Sequence, residues 1–266
     1  MSLDPLLVAA GAMTGLVVGM TGVGGGALMT PLLLLVFGVA PLAAVGTDLW
    51  FAALTKLAAV GVHHRHALID WRVASRLWMG SLPAAACTLI ALRLAHAQVG
   101  VAAILTVAIG ATVLMTALGL LFQKRLSTMG TQLLKHRSGR IRAFQLPATI
   151  GAGIVLGMAV TLTSVGAGAL GAVFLAYLYP LRLSPPRLVA TDIVHAIPLA
   201  VLAGAGHAAM GNVDVPLLLN LLVGSVPAVI VGALLSARLP HGPVRVMLAL
   251  VLSVVAVKLI ASGLAH

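Results

Sequence analysis

Five stretches of the chain, residues 42–62, 73–92, 99–122, 215–237 and 244–263, run for about twenty residues each with few charges. An α-helix needs ~20 mostly apolar residues to cross the hydrocarbon core of a bilayer. These run lengths therefore restrict the fold more than any other feature. Composition agrees: of 266 residues 61% are apolar and 8% charged, with a mean hydropathy of +1.15. A soluble domain carries roughly 25% charged residues, so this chain has too few polar groups to face water all round. No strand-like alternation is present, which leaves an all-α polytopic membrane bundle.

The net charge of +11 does not point to nucleic acid, because the basic residues lie mainly in short loops between apolar runs. There they read as determinants of membrane orientation. Cys87 is the only cysteine, so an intrachain disulfide is excluded. The start, "MSLDPLLVAAGAM", has no basic region before its apolar run and reads as a retained membrane segment. Trp50, Trp71 and Trp78 stand near span ends and suit the interfacial aromatic belt.

Sliding the chain along itself reveals a repeat at an offset of 144 residues. Pro41 then falls on Pro185, Thr47-Asp48 on Thr191-Asp192, His63 on His207 and Asp70 on Asp214, and "GSLPA" falls on "GSVPA". Gly22 and Gly24 fall on Gly166 and Gly168. The expected organisation is a first membrane repeat over 5–122, a basic cytoplasmic linker over 123–146 and a second repeat over 147–264. Each copy opens with about sixteen apolar residues (6–21; 147–163) and a glycine stretch. A piece of about eleven (27–37; 169–179) and three full spans follow. At ~1.5 Å per residue the short piece cannot cross alone, so it predicts a re-entrant hairpin or a pair of tilted half-helices.

The linker "QKRLSTMGTQLLKHRSGRIR" carries six Lys/Arg and belongs in the cytoplasm. Counting back puts Arg65, Arg72 and Arg76 on the same side. In the second copy the bias moves: Arg182 and Arg187 lie near Pro185, Arg238 and Arg245 lie in "ARLPHGPVR", and loop 207–214 has none. Equivalent loops are thus expected on opposite faces. That is an inverted-topology repeat, the internal symmetry of many secondary transporters, with both termini outside.

Five glycines in "GMTGVGGGALMTP" (19–31) break an apolar helix at a cost of about 1 kcal/mol each relative to Ala. Without side chains, backbone N–H groups can face a cavity. A half-helix starting there adds its positive end, making a site for an anion. Gly22, Gly24, Gly25 and Gly26, with Gly166 and Gly168, are the expected backbone donors. The competing reading is close helix packing, which fits Gly15 and Gly19.

Ionisable groups inside a span are expensive and mark functional sites by default. Asp48 lies about six residues into its span. Thr55 follows on nearly the same face, and Lys56 is rotated roughly 80° from Asp48 at 100° per residue. Asp192 repeats Asp48, and His195 follows one turn later. Thr47, Thr191 and Lys56 are expected at the substrate, and Asp48, Asp192 and His195 at a coupling proton. The alternatives are that Thr-Asp merely caps each helix and that His195 is a satisfied core histidine. His63, His64 and His66 fit no zinc spacing and no cysteine accompanies them, so neither metal nor cofactor is expected. Asp70 and Asp214 read as helix-start caps.

With "MTGVGGGALMTP" (20–31) and "VGTDL" (45–49), the chain resembles the TauE/SafE family. "SVGAGALG" (164–171) and "VATDI" (189–193) are the more divergent second set. The resemblance covers nearly the whole chain and implies a multi-pass transporter of the bacterial inner (cell) membrane, often a sulfite or organosulfonate exporter. Asp48 replaces the family's usual small polar residue. The resulting expectation is a secondary active transporter, not an enzyme, for a small anion. Sulfite, a sulfonate or sulfoacetate is the expected class, exported with coupling to the proton gradient. Its partners are that anion, the proton and membrane lipid, with homo-oligomerisation left open. An anion channel is the alternative. An intramembrane hydrolase ranks lower, because GxSxG and HExxH are absent and Ser164 with His195 is the one suggestive pair.

Overall fold

The structure, a computed structural model, describes residues 3–21, 26–62, 68–95, 101–136, 138–166, 168–236 and 241–264. The described residues form ten helices and no strand. In the first copy these are α1 (Pro5–Thr21), α2 (Gly26–Leu35), α3 (Pro41–Val62), α4 (Trp71–Ala95) and α5 (Val101–His136). In the second they are α6 (Ser138–Thr163), α7 (Ala169–Leu178), α8 (Pro185–Ala209), α9 (Val215–Ser236) and α10 (His241–Leu264).

Local chemistry explains the boundaries. α3 and α8 start on Pro41 and Pro185, where a missing N–H costs nothing. Asp70 and Asp214 begin α4 and α9 as expected: Val73 N–H donates to Asp70 Oδ1 at 3.3 Å and Leu217 N–H to Asp214 Oδ1 at 3.0 Å. Such acceptors satisfy N–H groups that a helix leaves unpaired. α2 and α7 have 10 residues each, about 15 Å at ~1.5 Å per residue, half of what a crossing requires.

Among the described residues six helices are long and apolar enough to cross a membrane: Trp71–Ala95, Ala102–Gln123, Phe144–Thr163, Pro185–Ala209, Val215–Leu235 and Val246–Leu264. The protein is a multi-pass membrane protein. α3 is 22 residues long, also enough to cross, but Asp48 and Lys56 lower its hydropathy. Within 123–146 the described residues are helical, carried by the end of α5 and the start of α6. The extension of α5 packs at Gly130 against Tyr177 in the last turn of α7 and Pro180 just beyond it.

Contacts between the copies come in reciprocal pairs. α1 packs on α9 and α6 on α4, α3 packs on α8, and α5 on α10. In the α1–α9 seam, Gly11 abuts Leu221, Gly15 Ser225 and Gly19 Val229. In the α6–α4 seam, Gly153 abuts Leu77 and Gly157 abuts Ser81. Leu77 and Ser81 precede Leu221 and Ser225 by 144 residues, whereas Gly11 and Gly15 precede Gly153 and Gly157 by 142. The first helices of the copies are therefore in structural register at 142 and the later ones at 144. The half-helices lie between the two registers, since α2 starts at Gly26 and α7 at Ala169, 143 residues later.

Direction follows from the same contacts. Gly46 near the start of α3 abuts Asn212 and His207 at the end of α8. Thr191 near the start of α8 accepts a hydrogen bond from Asp70 N–H, in the connection between α3 and α4, at 3.0 Å. The equivalent helices α3 and α8 therefore run antiparallel. α5 and α10 do likewise, because Gly110 meets Ala256 and Ile260 while Gly263 meets Ala103 and Val107.

Candidate functional site

Asp48 lies in the second turn of α3 and is fully buried. Its Oδ2 accepts a hydrogen bond from the Thr30 hydroxyl of α2. The Ser164 hydroxyl faces the same carboxyl group, yet Ser164 Oγ and Asp48 Oδ1 complete no hydrogen bond. Asp48 is thus held by α2, not by the start of its own helix, which argues against a simple capping role.

Ser164 belongs to the second helix break and connects it to the first. It adopts φ 57, and Gly166 and Gly168 follow at φ 118 and φ 135. Positive φ at two of these three positions is where glycine is needed. The carbonyls of Gly166 and Gly168 accept from the N–H groups of Gly171 and Ala172 at 3.2 Å each, turning the chain into α7. Gly26, the first residue of α2, packs directly on the Ser164 carbonyl. The edge of one break therefore touches the other inside the protein. Gly22, Gly24 and Gly25 lie outside the described residues.

The second copy supplies the other half. Asp192 is 2% exposed and His195 fully buried on α8, and Lys56 on α3 is 2% exposed. Lys56 lies within Coulombic reach of both Asp192 and His195. It attracts the first and repels a charged form of the second. Asp192 Oδ1 packs against the Cα of Gly171 in the first turn of α7 and has no hydrogen-bond partner. His195 Nε2 pairs with Ser81 Oγ at 2.9 Å, its carbonyl accepts from Trp78 Nε1 at 3.1 Å, and its Nδ1 is unpaired. Trp78 is therefore tied to the interior as well as standing near a span end. Each half-helix thus has one carboxylate beside it, from the copy to which it belongs.

The expected threonines behave differently. Thr47 Oγ1 accepts from Asp214 N–H at 3.0 Å, and Thr191 Oγ1 accepts from Asp70 N–H and donates to Arg187 O at 2.7 Å. Both hydroxyls fasten a loop of the opposite copy, so they position their neighbours Asp48 and Asp192. Ser164 faces Asp48, and the hydroxyl hydrogen-bonded to His195 is that of Ser81. His63, His64 and His66 lie outside the described residues. Among the described residues no cluster of His, Cys, Asp or Glu could hold a metal ion.

Sequence reasoning missed Thr30 and Ser81, because a lone hydroxyl in an apolar helix carries no spacing signal. It also missed the polar network at one pole. There Arg182 Nε and Nη2 grip Asp70 Oδ2 and Oδ1 at 2.6 and 2.9 Å. The Arg182 guanidinium holds the Asp70 carboxyl below the usual carboxylate range. Tyr179 OH pairs with Thr149 Oγ1 at 2.7 Å and accepts from Arg76 Nη1 at 3.3 Å. A cavity of about 780 Å³ lies elsewhere, between α4, α5 and α6. Its lining is mostly apolar, includes Cys87 and Thr88, and reaches none of the buried ionisable groups.

Residues 7–259 match the family described as Sulfite exporter TauE/SafE. The chain belongs to the TauE/SafE family. It is 36% identical over 259 residues to the probable membrane transporter protein YjnA of Bacillus subtilis (strain 168), covering 96% of this chain and 98% of the relative. It is 28% identical over 230 residues to the probable membrane transporter protein YdhB of the same organism, covering 85% and 87%. No solved structure matches. Both relatives of this TauE/SafE chain carry the name of a transporter, and nearly the full length of each is shared. The chain is a membrane transporter by family.

Proposed function

We propose that the protein is a secondary transporter of a small oxyanion of the sulfite, sulfonate or sulfoacetate class, exported with coupling to protons. Its two repeats would sit inverted in the membrane. The observation that carries the reading is the convergence, away from solvent, of Lys56 from one copy with Asp192 and His195 from the other, beside touching helix breaks. A buried ion group that joins two halves is costly to desolvate. It earns a role where a mobile anion replaces one of its members. Lys56 is the countercharge for the anion. Gly26, Gly166 and Gly168, with Gly22, Gly24 and Gly25 preceding α2, shape the backbone around it. Asp48, Asp192 and His195 carry the proton, and Thr47 and Thr191 hold the two aspartates in place. The antiparallel course of α3 against α8 supports the inversion.

The test is sulfite and sulfonate flux in proteoliposomes under an imposed pH gradient. Flux that follows the gradient and falls at least tenfold in Lys56→Ala, about 1.4 kcal/mol, supports the reading. Flux indifferent to both Lys56→Ala and the gradient removes it. Conductance without proton coupling turns it into an anion channel.

A further inference from the structure

The polar frame at the two poles of the bundle is duplicated, but the charge on it is not. At one pole Asp70 caps α4 and takes the Thr191 hydroxyl through its N–H; at the other, Asp214 caps α9 and takes Thr47 in the same way. Around Asp70 stand Arg72 and Arg76 on α4, Arg182 before α8 and Arg187 in the first turn of α8. At an offset of 144 the matching positions around Asp214 are Pro216, Asn220, Gly38 and Ala43, all uncharged. Among the described residues, four guanidiniums stand against the one carboxylate of Asp70, a net +3 for this group.

Orientation in the membrane needs only charge in a loop. These arginines are placed more specifically. Arg76 and Arg187 are partly buried, and Arg187 Nε is buried with no hydrogen-bond partner. Arg76 is turned onto Tyr179 OH, and Arg182 is locked in its fork on Asp70. The N-termini of α4 and α8 meet at the same place and add their positive ends. Arg187 also leads inward. Its carbonyl takes the Thr191 hydroxyl, and Asp192 lies five residues further on, about 7.5 Å along α8 at ~1.5 Å per residue.

We propose that Arg76 and Arg187, rimmed by Arg72 and braced by the Asp70–Arg182 pair, form a docking site for a small oxyanion at the cytoplasmic mouth, before the anion reaches Lys56. The placement at a transport mouth rests on the function proposed above. The guanidinium fork suits a sulfite or sulfonate group and equally the phosphate of a lipid headgroup.

Purified protein in neutral detergent is titrated with sulfite, with sulfoacetate and with short-chain phosphatidylglycerol, following the melting temperature, which rises with a ligand bound only to the native state. A rise with the sulfur oxyanions that Arg187→Gln and Arg76→Gln abolish supports a substrate site. A rise only with phosphatidylglycerol assigns the site to lipid. No rise with any of them overturns the site. In proteoliposomes of neutral lipid, the two variants are expected to raise KM roughly fivefold or more at unchanged kcat, the scale of one lost charge-assisted hydrogen bond. Arg187→Lys keeps the charge that orients the chain but loses the fork, so its KM is expected between the two. Arg93→Gln, at the other end of α4, is the control for net charge. If Arg187→Gln inserts poorly, unchanged KM in Arg187→Lys still overturns the site. Wild-type flux whose KM ignores all these substitutions sinks the docking site alone. Oxyanion stabilisation without any flux sinks the transport reading alone.

Discussion

Thr30 is the residue on which the Asp48 arrangement turns. Its hydroxyl is the one hydrogen-bond donor among the described residues that reaches Asp48 Oδ2 with full geometry. Thr30→Val keeps the shape and leaves the carboxylate unsatisfied. A loss of about 1–3 kcal/mol is expected for such an orphaned buried group, readable as a lower melting temperature in detergent. Gly171 makes the matching point for Asp192. A Cβ there would collide with Asp192 Oδ1, so Gly171→Ala is expected to push the carboxylate aside and reduce anion flux. Gly151→Ala, where nothing lies within 4 Å, is expected to leave flux unchanged. Asp70 gives a pH prediction. Its folded pKa lies below the unfolded value of 3.8, chiefly through the hydrogen bonds from Arg182. The contribution of a lowered carboxylate is complete above the unfolded pKa and disappears as pH falls through the folded one. The melting-temperature gap between wild type and Asp70→Asn should therefore be constant near neutrality and begin to close below about pH 4.

Among elements, the two glycine seams carry most of the information. In α1 the expectation that Gly15 and Gly19 serve close packing is met: they abut Ser225 and Val229 of α9. Small residues let membrane helices approach until backbone meets backbone, and an added methyl then has nowhere to go. A Cβ at Gly15 would lie 2.6 Å from the Ser225 carbonyl oxygen. Gly15→Ala and its counterpart Gly157→Ala in α6 are each expected to cost about 1–3 kcal/mol, as overpacking does. Thermal unfolding of the two variants should give similar losses, because the two seams are copies of each other. Loss at one seam and none at the other would mean that the copies are not mechanically equivalent. The half-helices α2 and α7 were legible as short apolar pieces beside glycines. The contact of Gly26, which opens α2, with Ser164, in the break before α7, was not, because those residues are 138 positions apart and neither advertises its partner.

For the whole molecule, the positive-inside reading and the contact map meet at Asp70. Charge alone puts Arg72 and Arg76 of the first copy and Arg182 and Arg187 of the second on one face. The structure joins those loops through Asp70–Arg182 and Arg76–Tyr179. The Asp214 pole, which has none of these arginines, holds the Thr47 bond and the Asp4 N–H to Asn220 contact and lies at the opposite ends of α3 and α8. In a Cys87→Ser background, a membrane-impermeant maleimide should label Asp214→Cys from outside intact cells. It should label Arg182→Cys only after the cytoplasm is opened. Labelling of both from one side would end the inverted arrangement.

Sequence alone determined that this chain spans a membrane as helices and carries a repeat at an offset of 144, and it placed Asp48, Lys56, Asp192 and His195 within apolar runs. Run length, an offset and the cost of burying charge are all properties of position along one chain. Only the tertiary structure decided that Thr30 serves Asp48, that Ser81 rather than Ser164 meets His195, and that Thr47 and Thr191 secure loops. Those pairings arise when two copies pack with α3 against α8 in opposite directions, which brings residues from distant parts of the chain together. Hydrogen-bond partners chosen by that docking leave no periodicity or spacing in the sequence.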